Sequence, residues 1–386
     1  MIPIKPAHDI PADQHGFSRA SIRRLAERRC EPVVSSVYLD VDGSHRPMPE
    51  RYEEAFERLA DELRRRARTR NDQRLIHSVD GDIDRMRGWV ESGIDRSTTR
   101  GVALFSCHED DYFEAIEVPV PVRDEVAIAE APHIRQLVEV LTEPGPFVLA
   151  LVDRTHLRLL RIDGHQIEEL PTSVTYQERA VDTAVELGSW EHRGEEAARI
   201  HLRHAAAEVD EVVRTLAVRQ LILGGPDESL AGMEGYLHPT TLELVVGRAA
   251  VRVAAPLHEV ASVASAVAER AARGREMVLI DEVRQRARGE YHVAVGLGAT
   301  LVALADRRIA TLVVGDGYAE PGARCPSCGH LGVDSGTCAA CGSRTVVLDD
   351  IVEVVIEMAV AQDAAVTCCR DNDLDEFGGI AAIERF

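Results

Sequence analysis

Apolar residues recur along the chain with two periods, which predict alternating strands and helices. Short runs rich in Val, Leu and Ile predict strands at 35–40, 101–107, 221–225, 311–317, 345–349 and 364–369, and 147–162 predicts two more or a hairpin. Apolar residues three or four positions apart predict helices over 49–70, 79–90, 195–218, 258–273, 276–288, 297–306 and 350–362. This alternation is typical of α/β domains.

The chain of 386 residues is long enough for two or three domains. The breaker cluster Glu143-Pro144-Gly145-Pro146 marks the first boundary. We therefore predict three consecutive α/β domains, at 1–142, 143–274 and 275–386. The third is expected to carry an inserted four-cysteine ribbon at 325–341.

Composition narrows the class of protein. Hydrophobic residues make up 45% and charged residues 28%, which is ordinary for a soluble globular protein. No apolar run approaches the roughly 18 residues of a spanning helix. Residues 1–13 lack the apolar core of a signal peptide, so we expect a cytoplasmic protein with no membrane partner.

The net charge is −21, from 44 basic and 65 acidic residues, which argues against coating nucleic acid by bulk electrostatics. One local exception is an arginine run at the end of the helix predicted over 49–70, formed by Arg64, Arg65, Arg66, Arg68, Arg70 and Arg74. Arginine forks suit phosphate, so the run is a candidate RNA contact. Alternatively, the charge complements the dipole at a helix C-terminus.

Four of the eight cysteines follow the pattern Cys-x2-Cys-x9-Cys-x2-Cys, namely Cys325, Cys328, Cys338 and Cys341. Each half can form a tight knuckle that presents two thiolates to one ion. Four sulfur ligands at this spacing predict a closed, structural Zn²⁺ site. The alternatives are four reduced cysteines on a loop, or a ribbon that has lost its metal. The scattered Cys30, Cys107, Cys368 and Cys369 are expected to be small buried hydrophobes.

Three segments resemble the class-1 release factors of archaea and eukaryotes. They are ILGGPDESLAGMEGYLHPTTLELVVG (222–247), HRGEEAARIHLRH (192–204) and FGGIAAIERF (377–386). The four-cysteine ribbon is similar to that of archaeal members, and APHIRQL before FVLALVDR looks more like the bacterial branch of the superfamily. The resemblance covers roughly residues 140–386, and the order and spacing of the motifs make it specific.

The chain also departs from the family pattern. The family's hydrolytic Gly-Gly-Gln loop maps onto Arg193-Gly194-Glu195, so only the second glycine is kept and a glutamate replaces the glutamine. Arg199 matches the family arginine that follows the loop. Neither stop-codon motif, Asn-Ile-Lys-Ser or Tyr-x-Cys-x-x-x-Phe, is present in the first domain. The superfamily also includes the rescue factor Pelota and the hibernation factor Balon, which occupy the ribosomal A site without decoding.

The resemblance implies a ribosome-associated factor that occupies the A site in rescue or hibernation. It also implies contact of Arg193, Arg199 and Arg203 with rRNA or the P-site tRNA end, and an elongation-factor-type GTPase at the C-terminal domain. These arginines belong to a locally basic stretch with His192, His201 and His204. The alternative is a solvated helix face paired with Glu195, Glu196 and Glu208. Gly194 and Glu195 are candidate catalytic residues for a codon-independent peptidyl-tRNA hydrolase, or Glu195 merely stabilises a helix N-terminus. Besides the A-site factor and the hydrolase, the third hypothesis is a protein-interaction module away from the ribosome.

Overall fold

A computed structural model describes residues 17–43, 45–46, 48–96, 99–142, 147–163, 166–172, 190–216, 218–289, 291–370 and 373–386. The chain divides into two compact units: one combines Met1–Thr142 with Val283–Phe386, and the other is Glu143–Glu282. Both mix helices with sheets, which confirms the predicted α/β class. The predicted boundary cluster at 143–146 lies outside the described residues. No helix of the described part is long and apolar enough to cross a membrane.

The N-terminal part of the first unit is built on an antiparallel sheet with strand order β3-β2-β1-β4. Its elements in chain order are helix α1 (Arg19–Glu27), strand β1 (Val34–Asp40), helices α2 (Pro49–Thr69) and α3 (Gln73–Glu91), strands β2 (Gly101–Cys107), β3 (Tyr112–Val118) and β4 (Glu125–Ala129), and helix α4 (Arg135–Thr142).

Helix α3 starts at Gln73, six residues before the predicted start at Val79. The side chain of Asp72 caps it by accepting the backbone N–H groups of Arg74 at 2.9 Å and Leu75 at 3.3 Å. An aspartate cap satisfies amides that would otherwise lack a partner, and it stabilises a helix by about 1 kcal/mol. The cap therefore extends the helix beyond the apolar pattern that predicted it.

The second unit has a five-stranded sheet with strand order β7-β6-β5-β8-β9, in which β5, β8 and β9 are parallel. Its elements are strands β5 (Phe147–Val152), β6 (Leu157–Asp163) and β7 (Gln166–Leu170), helix α5 (Trp190–Leu216), strand β8 (Leu221–Gly224), helices α6 (Asp227–Glu234) and α7 (Pro239–Leu242), strand β9 (Val245–Ala249) and helix α8 (Leu257–Gly289).

Strand β5 explains how this sheet is covered on both faces. Val148 and Ala150 pack in the cluster that contains Val209 of α5. Leu149 lies on the opposite face, in the cluster that contains Val260 of α8. A strand buried on both faces needs a continuous apolar run, and FVLALV is such a run.

Two helices differ from their predicted bounds. Helix α5 begins at Trp190, five residues before the predicted start. Helix α8 is continuous over Leu257–Gly289, although two helices were predicted there, so the predicted domain boundary at 274/275 lies inside it. The compact units divide later, at 282/283. A glycine inside a helix costs only about 1 kcal/mol, so Gly274 does not break α8.

The C-terminal part of the first unit has a sheet with strand order β10-β16-β11-β15, in which β11 and β15 are parallel, and a small sheet β13-β12-β14. Its elements are strand β10 (Val293–Val295), helix α9 (Gly296–Ala305), strands β11 (Ile309–Gly315), β12 (Gly322–Arg324), β13 (Leu331–Gly332) and β14 (Val346–Leu348), helix α10 (Ile351–Ala361), strand β15 (Ala365–Cys369), a 3₁₀ turn (Asp375–Phe377) and strand β16 (Ile380–Glu384).

The sheet of the N-terminal part is covered by different partners on its two faces. Val37 of β1 packs with Phe56 and Met86 of the α2–α3 pair. The next residue, Tyr38, faces the other side and lies in a cluster that contains Ile356 of α10. Because side chains alternate along a strand, one strand serves both cores. The N-terminal and C-terminal parts thus share one hydrophobic core.

Polar contacts reinforce this shared core. Oε1 of Glu353 on α10 accepts the backbone N–H groups of Ile134 at 2.7 Å and Arg135 at 3.3 Å, and so caps α4. The Arg135 guanidinium donates to the carbonyl oxygens of Tyr318 at 2.7 Å and Gly315 at 3.2 Å. A residue distant in sequence therefore supplies the helix cap.

His133 lies between two carboxylates of the same junction. Its Nδ1 is 3.4 Å from Glu353 Oε1, and its Nε2 is 3.5 Å from Glu125 Oε1. Burial lowers the pKa of His133, but the two carboxylates outweigh it and raise the pKa to about 9. Burial raises the pKa of Glu125, but His133 outweighs it and lowers the pKa to about 2. The imidazole is therefore protonated at neutral pH.

Candidate functional site

The four ribbon cysteines come together around one point. Their sulfur atoms all lie within 4.8 Å of one another, with 3.4 Å between Cys325 and Cys341 and 3.6 Å between Cys328 and Cys338. Tetrahedral thiolates on one zinc ion are about 3.8 Å apart, since each Zn–S bond is about 2.3 Å. The four cysteines can therefore bind a metal ion such as zinc.

The two halves of the ribbon have the same backbone design. The N–H of Gly329 donates to the carbonyl of Cys325 at 2.8 Å, and the N–H of Gly342 donates to that of Cys338 at 2.9 Å. Both glycines have a positive φ, 75° and 77°, which a residue with a Cβ rarely adopts. Each knuckle is thus determined by its own few residues.

Hydrogen bonds in the second knuckle favour a thiolate. The side chain and backbone of Ser343 hydrogen-bond to Cys341 and lower the pKa of its thiol to about 6, whereas hydrogen bonds with the neighbouring cysteines raise the pKa of Cys328. His330 contributes a backbone carbonyl, which accepts from the N–H of Cys325 at 2.8 Å. Zinc binds the thiolate form, so binding at this cluster would release the thiol protons that remain.

Residues 193–195 do not form a loop in the structure. They lie in α5, where Gly194 and Glu195 are exposed and the side chain of Arg193 is outside the described part. Only the first four N–H groups of a helix are free of intrahelical hydrogen bonds, and the N–H of Glu195 lies beyond them. Its amide is therefore not available as the oxyanion donor that a hydrolytic loop would present.

Helix α5 divides the predicted basic stretch between its two faces. Arg199 is exposed and forms an ion pair with Glu196 one turn before it. Arg203 is exposed, and no ion-pair partner for it is found within the described ranges. His201, by contrast, is buried, and its Nε2 atom has no hydrogen-bond partner in the described structure. His201 therefore lies on the apolar face of α5, away from the exposed face that holds Arg199 and Arg203.

A polar turn that the sequence analysis missed follows β5. Oδ1 of Asp153 accepts the N–H groups of Thr155 and His156, both at 2.7 Å. Burial raises the pKa of Asp153, but these hydrogen bonds outweigh it and lower the pKa. Burial lowers the pKa of His201, and a hydrogen bond to the backbone of His156 partly offsets this lowering. The signal in the sequence is Asp-Arg-Thr-His directly after a buried strand.

The Gly-Gly-Pro motif lies beside this turn, since β5 and β8 are parallel and paired. Gly225 has a φ of 137°, and a Cβ on it would lie 2.0 Å from the carbonyl oxygen of Val152. A Cβ on Gly224 would lie 2.5 Å from Leu151 Cδ2. The glycines that contribute to the family resemblance are therefore required for close packing of two strands.

The arginine run at the tip of α2 and α3 is largely engaged with neighbouring acids. Arg64 lies 3.2 Å from Asp61 and 3.3 Å from Asp80. Glu62 pairs with Arg65 and with Arg66, the latter at 2.8 Å, and Arg74 lies 3.4 Å from Glu109. Arg68 is exposed, and the described residues offer it no ion-pair partner. Exposed pairs of this kind are weak, so the arginines can exchange partners.

Two arginines of the run also cover a sheet edge. Strand β4 is the outer strand of its sheet. Arg66 donates to the carbonyl oxygen of Val126, and Arg70 to that of Ile128, both at 2.8 Å. Unpaired strand edges promote aggregation, and charged side chains on them prevent it. This structural role was not apparent from the sequence.

Comparisons with known proteins agree with the resemblance. Residues 132–269 match the model of the family described as bacterial archaeo-eukaryotic release factor family 10. The predicted resemblance to the release-factor superfamily, and to its bacterial branch, is confirmed. The match includes β5, the Gly-Gly-Pro turn and α5 but ends before the ribbon. No curated protein matches the chain.

Three solved structures are among the matches. The archaeal translation termination factor aRF1 is 16% identical, with 96% of this chain and 99% of that chain covered and a TM-score of 0.26. Pelota of Archaeoglobus fulgidus is 14% identical, with 74% and 79% covered and a TM-score of 0.35. Dom34 of S. cerevisiae is 10% identical, with 74% and 79% covered and a TM-score of 0.39.

Proposed function

We propose that the protein is a ribosome-associated translation factor that occupies the A site without decoding a stop codon, in ribosome rescue or hibernation. The observation that carries this proposal is the match of residues 132–269 to a bacterial release-factor family. The absence of both stop-codon motifs from the sequence supports a factor that does not decode. Such a factor acts in the cytoplasm, where ribosomes translate.

RNA contact is proposed for two exposed groups of arginines. Arg199 and Arg203 lie four residues apart on α5, so they can follow one phosphate track. In the run Arg64–Arg74, Arg68 forms an ion pair with no acid of the described chain. Its neighbours form only weak, exposed ion pairs, such as that of Arg65 with Glu62. In an acidic protein, such local clusters are the surfaces that suit rRNA and the P-site tRNA end.

The conformation of residues 193–195 favours occupancy over hydrolysis. In α5 the amide of Glu195 is part of the helix, and its exposed carboxylate would face phosphates. The peptidyl-tRNA hydrolase hypothesis therefore needs this helix to unwind before Gly194 and Glu195 can approach an ester. The family match in turn favours a ribosomal role over an interaction module away from the ribosome.

The C-terminal part is proposed to carry the remaining partners. Zn²⁺ fits Cys325, Cys328, Cys338 and Cys341, and four thiolates leave no open position for catalysis, so its role would be structural. An elongation-factor-type GTPase is proposed at the same part of the chain on the basis of the family resemblance.

Binding to ribosomes with an occupied P site and an empty A site tests this function. We expect the wild-type chain to co-sediment without releasing peptide. Arg199→Glu/Arg203→Glu should weaken binding by at least about tenfold, since each change replaces a phosphate contact by repulsion. The matched control is Arg214→Glu, a comparably exposed arginine at the other end of α5.

Two outcomes would contradict the proposal. Failure of the wild-type chain to co-sediment would favour the interaction module. Rapid peptide release that Gly194→Ala and Glu195→Ala abolish would establish the hydrolase instead.

A further inference from the structure

A second group of metal-ligating atoms lies in the N-terminal part, far from the ribbon in sequence. Cys30 precedes β1, Cys107 is the last residue of β2, and Asp110 lies in the turn between β2 and β3. The two sulfur atoms and a carboxylate oxygen all lie within 4.8 Å of one another. Both cysteines are buried, as expected, but folding brings them together at one point.

The backbone of Glu31 completes this cluster. Its N–H donates to Asp110 Oδ2 at 3.2 Å and orients the carboxylate. Its carbonyl oxygen lies 3.5 Å from Cys107 Sγ, from which it accepts a hydrogen bond. A sulfur and an oxygen on one tetrahedral zinc ion are about 3.6 Å apart. The distance from Cys107 Sγ is therefore compatible with the carbonyl oxygen as a fourth ligand.

Arg28 supplies the charge that such a site requires. Its Nε donates to Cys30 Sγ at 3.4 Å, and its guanidinium is stacked 4.5 Å from the centre of the Tyr112 ring. Two thiolates and one carboxylate exceed the charge of a divalent ion by one negative charge, which Arg28 neutralises. Hydrogen bonds to coordinated sulfur and to ligating carboxylates are the contacts that orient metal ligands.

We propose that Cys30, Cys107 and Asp110, with the Glu31 carbonyl oxygen, form a second binding site for a zinc-class divalent cation. Two thiol protons pass to solvent as two Zn–S bonds form. Thiolate ligands select zinc over magnesium or calcium. The bound ion links the segment before β1 to the β2–β3 turn, so its role is structural.

Zinc stoichiometry of the full-length chain tests this site. The protein is loaded with zinc chloride in reducing buffer, passed through gel filtration and analysed for metal. We expect two zinc ions per chain in the wild type, and one in Cys30→Ser/Cys107→Ser or in Cys328→Ser/Cys341→Ser. With cobalt in place of zinc, the thiolate charge-transfer absorbance should fall by about one third in the first variant, because six thiolate ligands become four.

A milder variant keeps the test valid if loss of buried thiols impairs folding. Asp110→Asn changes an exposed residue and should weaken the binding of the second zinc ion at least about tenfold. Asp111→Asn, the neighbouring exposed acid that pairs with Arg85, is the matched control and should keep two ions. One zinc ion in a wild-type chain whose eight cysteines are all reduced would overturn the proposal. So would a Cys30–Cys107 disulfide, detected as two missing thiols.

Discussion

The ribbon and the start of α5 were both singled out by short motifs, yet they differ in what determines their structure. In the ribbon, each pair of cysteines is positioned by a glycine and backbone hydrogen bonds within the same knuckle. In α5, the residues aligned with a hydrolytic loop are helical, and the family spacing gave no sign of it. A motif predicts local structure reliably when its own residues define the geometry.

The largest effect is expected in the ribbon, whose structure is determined by its own residues. Cys328→Ser should abolish zinc binding at the ribbon and lower its local stability by about 5 kcal/mol or more, since structural zinc contributes about 10–16 kcal/mol in isolated fingers. Hydrogen exchange of residues 322–348 measures this loss. Ser327→Ala, an exposed non-ligand of the same knuckle, should change neither metal content nor exchange. Slow exchange in both variants would show a ribbon that folds without metal.

The second-largest effect is expected at Gly225, whose backbone conformation brings it close to a neighbouring strand. Gly225→Ala should lower the free energy of unfolding by about 3 kcal/mol, because its backbone conformation excludes a side chain. Its Cβ would lie 2.0 Å from the Val152 carbonyl oxygen. Chemical denaturation monitored by circular dichroism checks this value. An unchanged midpoint would mean that β5 and β8 are not packed as described.

The pH dependence of stability tests the junction around His133, which residues distant in sequence form. Its folded pKa of about 9 is above the unfolded value of about 6.5, so the folded state binds the extra proton between these pH values. The stabilisation is complete below about pH 6.5 and is lost as pH rises through 9, and it is worth about 3 kcal/mol. Thermal unfolding from pH 6 to 10 measures this slope.

A variant identifies the group responsible for the slope. His133→Gln should flatten it, whereas the exposed His45→Gln should leave it as it is. An equal slope in the wild type and His133→Gln would refute the assignment.

The smallest effect concerns the helical start of α5. Gly194→Ala should stabilise the second unit by about 0.5–1 kcal/mol, since alanine is the better helix former and a Cβ there meets no atom within 4 Å. Denaturant midpoints of the two proteins check the sign. Destabilisation would indicate that residue 194 needs the freedom of a glycine, as a catalytic loop does.

Most single elements could be predicted because their patterns are strong. Strand β2 has the bounds that were predicted, and the apolar run of β5 correctly indicated a buried strand. The start of α3 was missed because a side-chain cap at Asp72 sets it. The continuity of α8 was missed because Gly274 interrupts the pattern without breaking the helix.

The sequence by itself determined the features that depend on near neighbours, namely the apolar periods, the cysteine spacing and the glycines of the knuckles. Only the tertiary structure decided the conformation of residues 193–195, the burial of His201 and the meeting of Cys30 with Cys107. It also decided that Glu353 caps α4. The physical reason is that packing and burial depend on residues far apart in the chain, whereas periodicity and turn geometry are encoded within a few positions.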